Sequence, residues 1–112
     1  MKKYQLGEFE EIVLLTIGIL SGDAYGVAIK NYIEDRLSRS VSIGALHTAL
    51  VRLDDKGYIK GHEGAATPER AGRPKKCFEI TALGKKAMVY SKNTKDSLWS
   101  ALPKNIFGIR KA

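Results

Sequence analysis

The sequence has few of the residues on which disulfide-rich, metal-binding or membrane proteins depend. It contains one cysteine, Cys77, among 112 residues, so no internal disulfide can form, which is typical of a reducing cytoplasm. With that single thiol and two histidines it matches no zinc-ligand spacing. No apolar run is long enough to span a bilayer, and the first residues, MKKYQLGEFEE, turn acidic too early for a signal peptide. We therefore expect a cytoplasmic protein with no membrane segment and no metal or other cofactor.

The sequence also lacks the usual features of an enzyme. Its glycines form no phosphate-binding motif. Glu8, Glu10 and Glu11 crowd the start of one predicted helix, where they fit the positive end of the helix dipole better than an acid/base pair. We predict no catalytic function.

Charge is distributed unevenly along the chain. The apolar content of 44% is enough for the core of one small domain, and the net charge is +7. Residues 1–35 carry three basic and six acidic residues, residues 36–86 carry eleven and five, and residues 87–112 carry five and one. Charge that serves only solubility is the alternative, although it would not need to be segregated in this way. The pattern indicates an anionic partner, either nucleic acid or a membrane surface.

A central stretch, residues 42–61 (SIGALHTALVRLDDKGYIKG), predicts a helix followed by a strand. Ser42 can cap the first turn, and Gly57 suits a left-handed C-terminal cap. Tyr58 then begins an aromatic and β-branched run. The residues expected to face the core are Ile43, Leu46, Leu50 and Leu53.

The opposite face of this helix is small, neutral or cationic, with no carboxylate until Asp54 near its end. A face of this kind fits the major groove of DNA, with its N-terminal residues nearest the base edges. An ordinary amphipathic helix with a solvated face is the alternative. The face comprises Ser42, Gly44, Ala45, His47, Thr48, Val51 and Arg52.

Two helices are predicted before the central one. Residues 8–21 are apolar nearly all round, which fits either a central core helix or a helix partly covered by a second subunit. Their inward residues are expected to include Leu15 and Ile19. Residues 24–37 form the second helix, and a short polar connection leads to Ser42. Two helices joined in this way predict a helix-turn-helix.

A β-hairpin is predicted directly after the central helix, with strands at residues 58–62 and 75–80 and an irregular loop at 63–74. A hairpin in this position is a wing, and its basic tip can reach phosphates or the minor groove. A loop that is only solvated is the alternative. The tip carries Arg70, Arg73, Lys75 and Lys76.

A last helix is predicted from Ala82 to about Leu102, capped by Thr81. At about 30 Å it is too long to fold wholly onto a winged module, so its apolar stripe is expected to pair with another copy. We therefore divide the chain into a winged helix-turn-helix domain at 1–81 and a dimerisation helix and tail at 82–112. The stripe and its neighbours include Leu83, Ala87, Tyr90, Leu98, Trp99 and Leu102.

Several motifs together resemble the PadR family of bacterial transcriptional regulators. These are the Ser-x-Gly-x-Leu start of the central helix, its Arg-Leu-Asp-x-x-Gly-Tyr-Ile exit, and the Gly-Arg-Pro-x-Lys-x-Phe-x-Ile-Thr return of the wing. The resemblance covers residues 6 to about 88 and is closest to the short subfamily with a single C-terminal helix. It implies a mainly α-helical winged helix-turn-helix homodimer that binds a pseudo-palindromic operator on double-stranded DNA, usually as a repressor.

The resemblance also bears on two individual residues. His47 stands where the family usually has tyrosine, so the operator cannot be inferred from relatives. Some short members bind planar drugs between paired tryptophans, and Trp99 lies on the corresponding helix. A planar aromatic effector could bind there, although a lone tryptophan in an apolar stripe also suits simple packing at an interface.

These patterns lead to a DNA-binding regulator as the predicted function, with a protein-interaction winged helix as the alternative. The residues expected at DNA are Arg39, Ser42, Gly44, Ala45, His47, Thr48, Arg52, Arg70, Arg73, Lys75 and Lys76. The residues expected at a ligand or dimer interface are Leu83, Ala87, Tyr90, Leu98, Trp99 and Leu102.

Overall fold

The computed structural model describes residues 4–66 and 74–108, and it confirms a mainly α-helical winged helix-turn-helix followed by a long helix. Among these residues, no helix is both long and apolar enough to cross a membrane. In chain order the elements are α1 (Glu8–Ile19), α2 (Gly26–Leu37), α3 (Ile43–Asp55), β1 (Ile59–Ala66), β2 (Pro74–Ile80) and α4 (Ala82–Ala101).

Helix α1 runs through the centre of the domain and contacts α2, α3, β2 and α4. Val13, Leu14 and Ile17 on this helix are fully or almost fully buried. The expectation that Leu15 and Ile19 face inward is wrong, since Ile19 is 59% exposed and Leu15 is also exposed. A helix that is apolar nearly all round has no unique inward face, so its periodicity could not select the buried side.

Helix α2 begins two residues later than predicted because Ala24 and Tyr25 are drawn into the hairpin. The Phe78 N–H donates to the Ala24 carbonyl at 2.9 Å, and Tyr25 forms a β-bridge with Cys77. Cys77 is buried as a result. These bonds fix the loop between α1 and α2 against the wing.

The turn between α2 and α3 is held by a side chain of α2. A carboxylate oxygen of Glu34 accepts a hydrogen bond from the Val41 N–H at 2.9 Å, and the other accepts one from Lys30 at 3.0 Å. The Val41 amide, and then Lys30, hold the pKa of the Glu34 carboxyl below its ordinary value. The carboxylate therefore stays ionised at neutral pH and fixes the chain just before α3.

Both predicted caps of α3 are present. The Ser42 side chain accepts a hydrogen bond from the Ala45 N–H at 3.0 Å. At the other end Gly57 adopts a left-handed φ of +79°, and the Tyr58 N–H donates to the Leu53 carbonyl at 2.9 Å. Together with the bond from the Gly57 N–H to the Asp54 carbonyl, this is a Schellman motif. The helix therefore has defined ends.

The buried face of α3 differs from the prediction at its first residue. Leu46, Ala49 and Leu53 are buried, whereas Ile43 is 62% exposed. Val41, in the turn before the helix, is buried and fills that end of the core instead.

The hairpin is longer than predicted. Residues 63–66, expected to belong to the loop, continue β1, with Glu63 opposite Lys76 and Ala66 opposite Pro74 across a bulge. Gly64 approaches β2 so closely that a Cβ on it would lie 3.0 Å from the Cys77 sulfur. Glycines in this segment are typical of a loop, but Gly64 instead allows the two strands to lie close together.

The first turns of α4 belong to the core of the domain. The Thr81 hydroxyl accepts a bond from the Gly84 N–H at 3.0 Å and donates one to the Gly57 carbonyl at 2.6 Å. Ala87 is fully buried within its own chain, so its predicted place at a dimer or ligand interface is corrected. Every residue from 92 to 101, in contrast, is exposed.

Candidate nucleic-acid interface

The outer face of α3 is open to solvent along its whole length. Its small and hydrogen-bonding residues lie in the first two turns, and no carboxylate precedes Asp54. The buried residues Leu46, Ala49 and Leu53 hold the opposite side against the core. The exposed residues of this face are Ser42, Gly44, Ala45, His47, Thr48, Val51 and Arg52, as predicted.

Two other elements flank this face. A cleft of about 390 Å³ separates its first turns, including Gly44 and Thr48, from Phe9 at the start of α1. A second cleft, of about 180 Å³, lies between His47 and Lys76 of the wing. Helix α3 therefore projects between the start of α1 and the hairpin.

Lys75 and Lys76, the predicted DNA-contacting lysines of the wing, differ in their exposure. The Lys75 ammonium lies 4.2 Å from the centre of the Tyr25 ring, a cation–π contact that holds this side chain against the domain. Lys76 is exposed beside the cleft that contains His47, and its ammonium lies 5.9 Å from the centre of the Phe78 ring, a longer contact of the same kind. The predicted phosphate contacts Arg70 and Arg73 lie outside the described residues.

Arg39, in the connection before α3, and Arg52, in the last turn of α3, each pair with a carboxylate of α1. An Arg39 Nη lies 3.6 Å from a Glu8 carboxylate oxygen, and the guanidinium sits 5.3 Å from the centre of the Phe9 ring. An Arg52 Nη lies 3.7 Å from a Glu10 oxygen. These pairs could not be predicted from the sequence because the partners are far apart along the chain.

Glu10 anchors the end of α3 to the start of α1. Its carboxylate accepts bonds from Lys56 at 2.5 Å and from the Gly7 N–H at 3.2 Å, and Lys56 also donates to the Gln5 carbonyl at 3.1 Å. Burial raises the pKa of this carboxyl, but Lys56, the Gly7 amide and Arg52 together outweigh burial and lower the pKa below its ordinary value. The only sequence signal was the place of Glu10 three residues after the N-cap, where a glutamate can bond back to the cap amide.

The residues predicted at a ligand or dimer interface on α4 are exposed, apart from Ala87. Trp99 is 65% exposed, and its indole stacks on Phe107 of the tail with ring centres 6.2 Å apart. A groove of about 560 Å³ runs between α1 and α4, with Leu15 on one wall and Trp99 on the other. The exposed residues are Leu83, Tyr90, Leu98, Trp99 and Leu102.

No metal centre is formed by residues 4–66 and 74–108, in which no three His, Cys, Asp or Glu side chains converge on a common point. The exposed face of α3 and the wing beside it form the candidate site in the described part of the chain.

Residues 14–89 match the family model described as the transcriptional regulator PadR-like family. The chain belongs to this family. No match was found among curated proteins. The PadR-like fold supports a role in DNA-binding transcriptional regulation.

Solved structures share the same fold. RosR of H. salinarum is 25% identical, with a TM-score of 0.67, and the match covers 88% of this chain and 82% of that one. A PadR-like transcription factor from Bacteroides fragilis is 20% identical, with a TM-score of 0.68 and coverages of 82% and 84%. A PadR family regulator from Clostridium difficile is 22% identical, with a TM-score of 0.62 and coverages of 82% and 92%.

Proposed function

We propose that this PadR-like protein is a homodimeric repressor that recognises a pseudo-palindromic operator. One observation carries the proposal: the outer face of α3 is exposed, free of acids over its first turns, and fixed at both ends by Ser42 and the Glu10–Lys56 pair. A rigid helix with such a face can enter the major groove without electrostatic repulsion from phosphates.

The residues of the site would divide into three roles. Gly44 and Ala45 allow the helix to approach closely, since each lacks a long side chain. His47 and Thr48 can hydrogen-bond to base edges. The cationic residues neutralise phosphates, which contributes affinity without sequence information. This last group comprises Arg39, Arg52, Arg70, Arg73, Lys75 and Lys76.

DNA binding is tested by fluorescence anisotropy with a duplex from the promoter of the protein's own gene and with a random duplex, at several salt concentrations. A preference of about 10³ or more for the promoter and a steep salt dependence are expected. Lys76→Ala should weaken binding to both duplexes and reduce the salt slope by about one unit. The matched control is Lys104→Ala, which removes the same charge from the tail beyond α4.

Substitution of base-reading residues should have a different effect. His47→Ala or Thr48→Ala should reduce the preference for the promoter and leave the salt slope nearly unchanged. Equal losses on both duplexes would mean that these side chains only position the protein. Weak, equal binding of the unaltered protein to both duplexes would instead favour a winged helix that docks acidic protein partners.

Dimerisation through α4 is proposed because the described residues cover little of the second half of that helix, apart from the stacking of Phe107 on Trp99 and the pairing of Glu11 with Lys95. Residues 92–101 are all exposed, yet this segment includes the large apolar residues Leu98 and Trp99. Burial of such a stripe against a second copy would remove it from water.

Light scattering after size exclusion would measure the mass directly. Leu98→Glu should shift the protein from dimer to monomer and weaken operator binding. Ser100→Glu, on the opposite side of the helix, should leave both unchanged. A monomeric unaltered protein would refute the dimer.

Repression is tested by transcription in vitro from the promoter that the protein binds. Added protein should lower transcript from that promoter and leave an unrelated promoter unaffected. Increased transcript would identify an activator instead.

A planar aromatic effector is a second candidate function, favoured by the exposed indole at the edge of the α1–α4 groove. Trp99 is the single tryptophan, so its fluorescence reports on this groove alone. A planar aromatic cation that binds there should quench the emission and change operator affinity. Unchanged fluorescence across a panel of such compounds would argue for packing at an interface.

A further inference from the structure

We infer that Glu8 is a releasable counter-ion that competes with DNA phosphates for Arg39 and so limits affinity for DNA of any sequence. This inference rests on the proposed DNA binding. Arg39 lies in the connection between α2 and α3, just before the N-terminal end of the helix proposed to read bases. In the described residues its guanidinium pairs with one carboxylate, that of Glu8, at 3.6 Å.

The two acids that pair with arginines beside α3 have different environments. The Glu10 carboxylate is only 10% exposed and is also bonded to Lys56 and to the Gly7 amide. The Glu8 carboxylate is 75% exposed, and Arg39 is its only ion-pair partner within residues 4–66 and 74–108. Glu10 is therefore a structural anchor, whereas the Glu8 pair can break without loss of other bonds.

The aromatic contact of Arg39 favours exchange of its counter-ion. The guanidinium lies 5.3 Å from the centre of the Phe9 ring, and this contact does not depend on Glu8. When the ion pair with Glu8 breaks, the arginine keeps its position beside the start of α3. A phosphate can then take the place of the carboxylate with little rearrangement.

Replacement of the Glu8 carboxylate by a phosphate at Arg39 lowers the affinity for every duplex. Before binding, Arg39 is already neutralised by Glu8, so a phosphate gains only the difference between two ion pairs. After binding, the freed Glu8 charge remains close to the DNA backbone and repels it. Both effects are independent of sequence, because phosphate contacts carry no base information.

The test compares Glu8→Gln with the unaltered full-length protein on promoter and random duplexes. The substitution keeps the shape and removes the charge. Binding to both duplexes should tighten by about two- to fivefold at low salt, the range of one exposed ion pair, and the gain should shrink as salt rises. The matched control is Asp35→Asn, which changes the net charge equally at an exposed position on α2.

A double-mutant cycle with Arg39→Gln separates the effect of the Glu8–Arg39 ion pair from general repulsion between Glu8 and the DNA phosphates. In the Arg39→Gln background, Glu8→Gln should give a clearly smaller gain, because the competition no longer exists. An equal gain in both backgrounds, or an equal gain from Asp35→Asn, would overturn the inference. Weaker binding by Glu8→Gln would also overturn it, since Glu8 would then hold Arg39 in place for DNA.

These outcomes are separable from failure of the proposed function. If the unaltered protein shows no salt-dependent binding to either duplex, DNA recognition and this inference both fall. If it binds as expected and the cycle shows no coupling, only the role of Glu8 is refuted.

Discussion

Substitution of Glu10 by glutamine should weaken the attachment of α3 to α1 and destabilise the whole domain. The Glu10 residue is 8% exposed, and its carboxylate holds two cations, Lys56 and Arg52, and one backbone amide. Glutamine keeps the shape but removes the charge. Lys56 could still donate to neutral oxygens, those of the new amide and of the Gln5 carbonyl, but among the described residues no carboxylate would neutralise its ammonium, although its side chain is just 29% exposed.

The size of this effect follows from how deeply the pair is buried. Removing one partner of a fully buried ion pair costs about 3–5 kcal/mol, and exposed pairs contribute about 0–1 kcal/mol. The carboxylate is buried but both cations reach solvent, so the effect lies between these limits. We expect a loss of about 2 kcal/mol in the free energy of unfolding at neutral pH, which lowers Tm by several degrees.

The pKa of Glu10 determines how the difference in stability between the two proteins should change with pH. The pKa of Glu10 is lower in the folded protein than its ordinary value of 4.5, so the folded state favours the ionised form. The stabilisation is therefore complete well above that value and is lost as pH falls through the folded pKa. Glu10→Gln lacks this contribution at every pH, so the two proteins should become similar in stability in acid.

Urea unfolding followed by circular dichroism, at equal protomer concentration, measures this difference at neutral and acidic pH. Glu8→Gln is the control, because it removes an exposed charge from the same turn and should change stability by less than about 1 kcal/mol. The reasoning would be refuted if Glu10→Gln changed the free energy of unfolding by less than about 0.5 kcal/mol at neutral pH. It would also be refuted if the difference from the unaltered protein stayed the same at acidic pH.

Three further substitutions test how the ends of α3 and α4 are built. Gly84→Ala should prevent stable folding, since its Cβ would lie 2.1 Å from the Tyr58 carbonyl oxygen, and a folded variant by circular dichroism would contradict the close packing. Gly57→Ala should cost about 1 kcal/mol in urea unfolding because φ is +79°, and a neutral effect would argue against the left-handed cap. Glu34→Ala should speed hydrogen exchange at the Val41 amide; unchanged exchange would remove the carboxylate as its partner.

The local features of α3 were predictable because they depend on neighbours in sequence. A serine before an apolar-periodic run and a glycine after it have few structural alternatives, and both Ser42 and Gly57 form the expected caps. The exposure of His47 and Thr48 followed from the same periodicity.

Features that depend on tertiary contacts were not predictable in this way. Leu15 and Ile19 fit the apolar pattern as well as Val13 and Leu14 do, and only the positions of α2 and α4 decide which are covered. Residues 63–66 became part of a strand because pairing with β2 overrides the weak strand preference of glycine and alanine.

The helix-dipole interpretation of the three acids at the start of α1 describes only part of their role. In the sequence they suit the positive end of the helix dipole, and that reasoning needs no partner elsewhere. In the structure each of the three binds a different element: Glu8 reaches the connection before α3, Glu10 reaches the end of α3, and Glu11 reaches α4. Their main partners are Arg39, Lys56 and Lys95.

The contacts of Glu10 and Glu11 help to set the rotation of α1 about its own axis, whereas the exposed Glu8 pair contributes little. An apolar core alone defines that rotation poorly when a helix is apolar nearly all round, because several faces could be buried at similar free energy. Any other rotation would separate the largely buried carboxylates of Glu10 and Glu11 from Lys56 and Lys95, and so would be penalised. The same turn of α1 thus sets both the position of α3, which is proposed to read DNA, and that of α4, which is proposed to form the dimer. The distance between two such α3 helices in a dimer would then depend on α1 as much as on α4 itself.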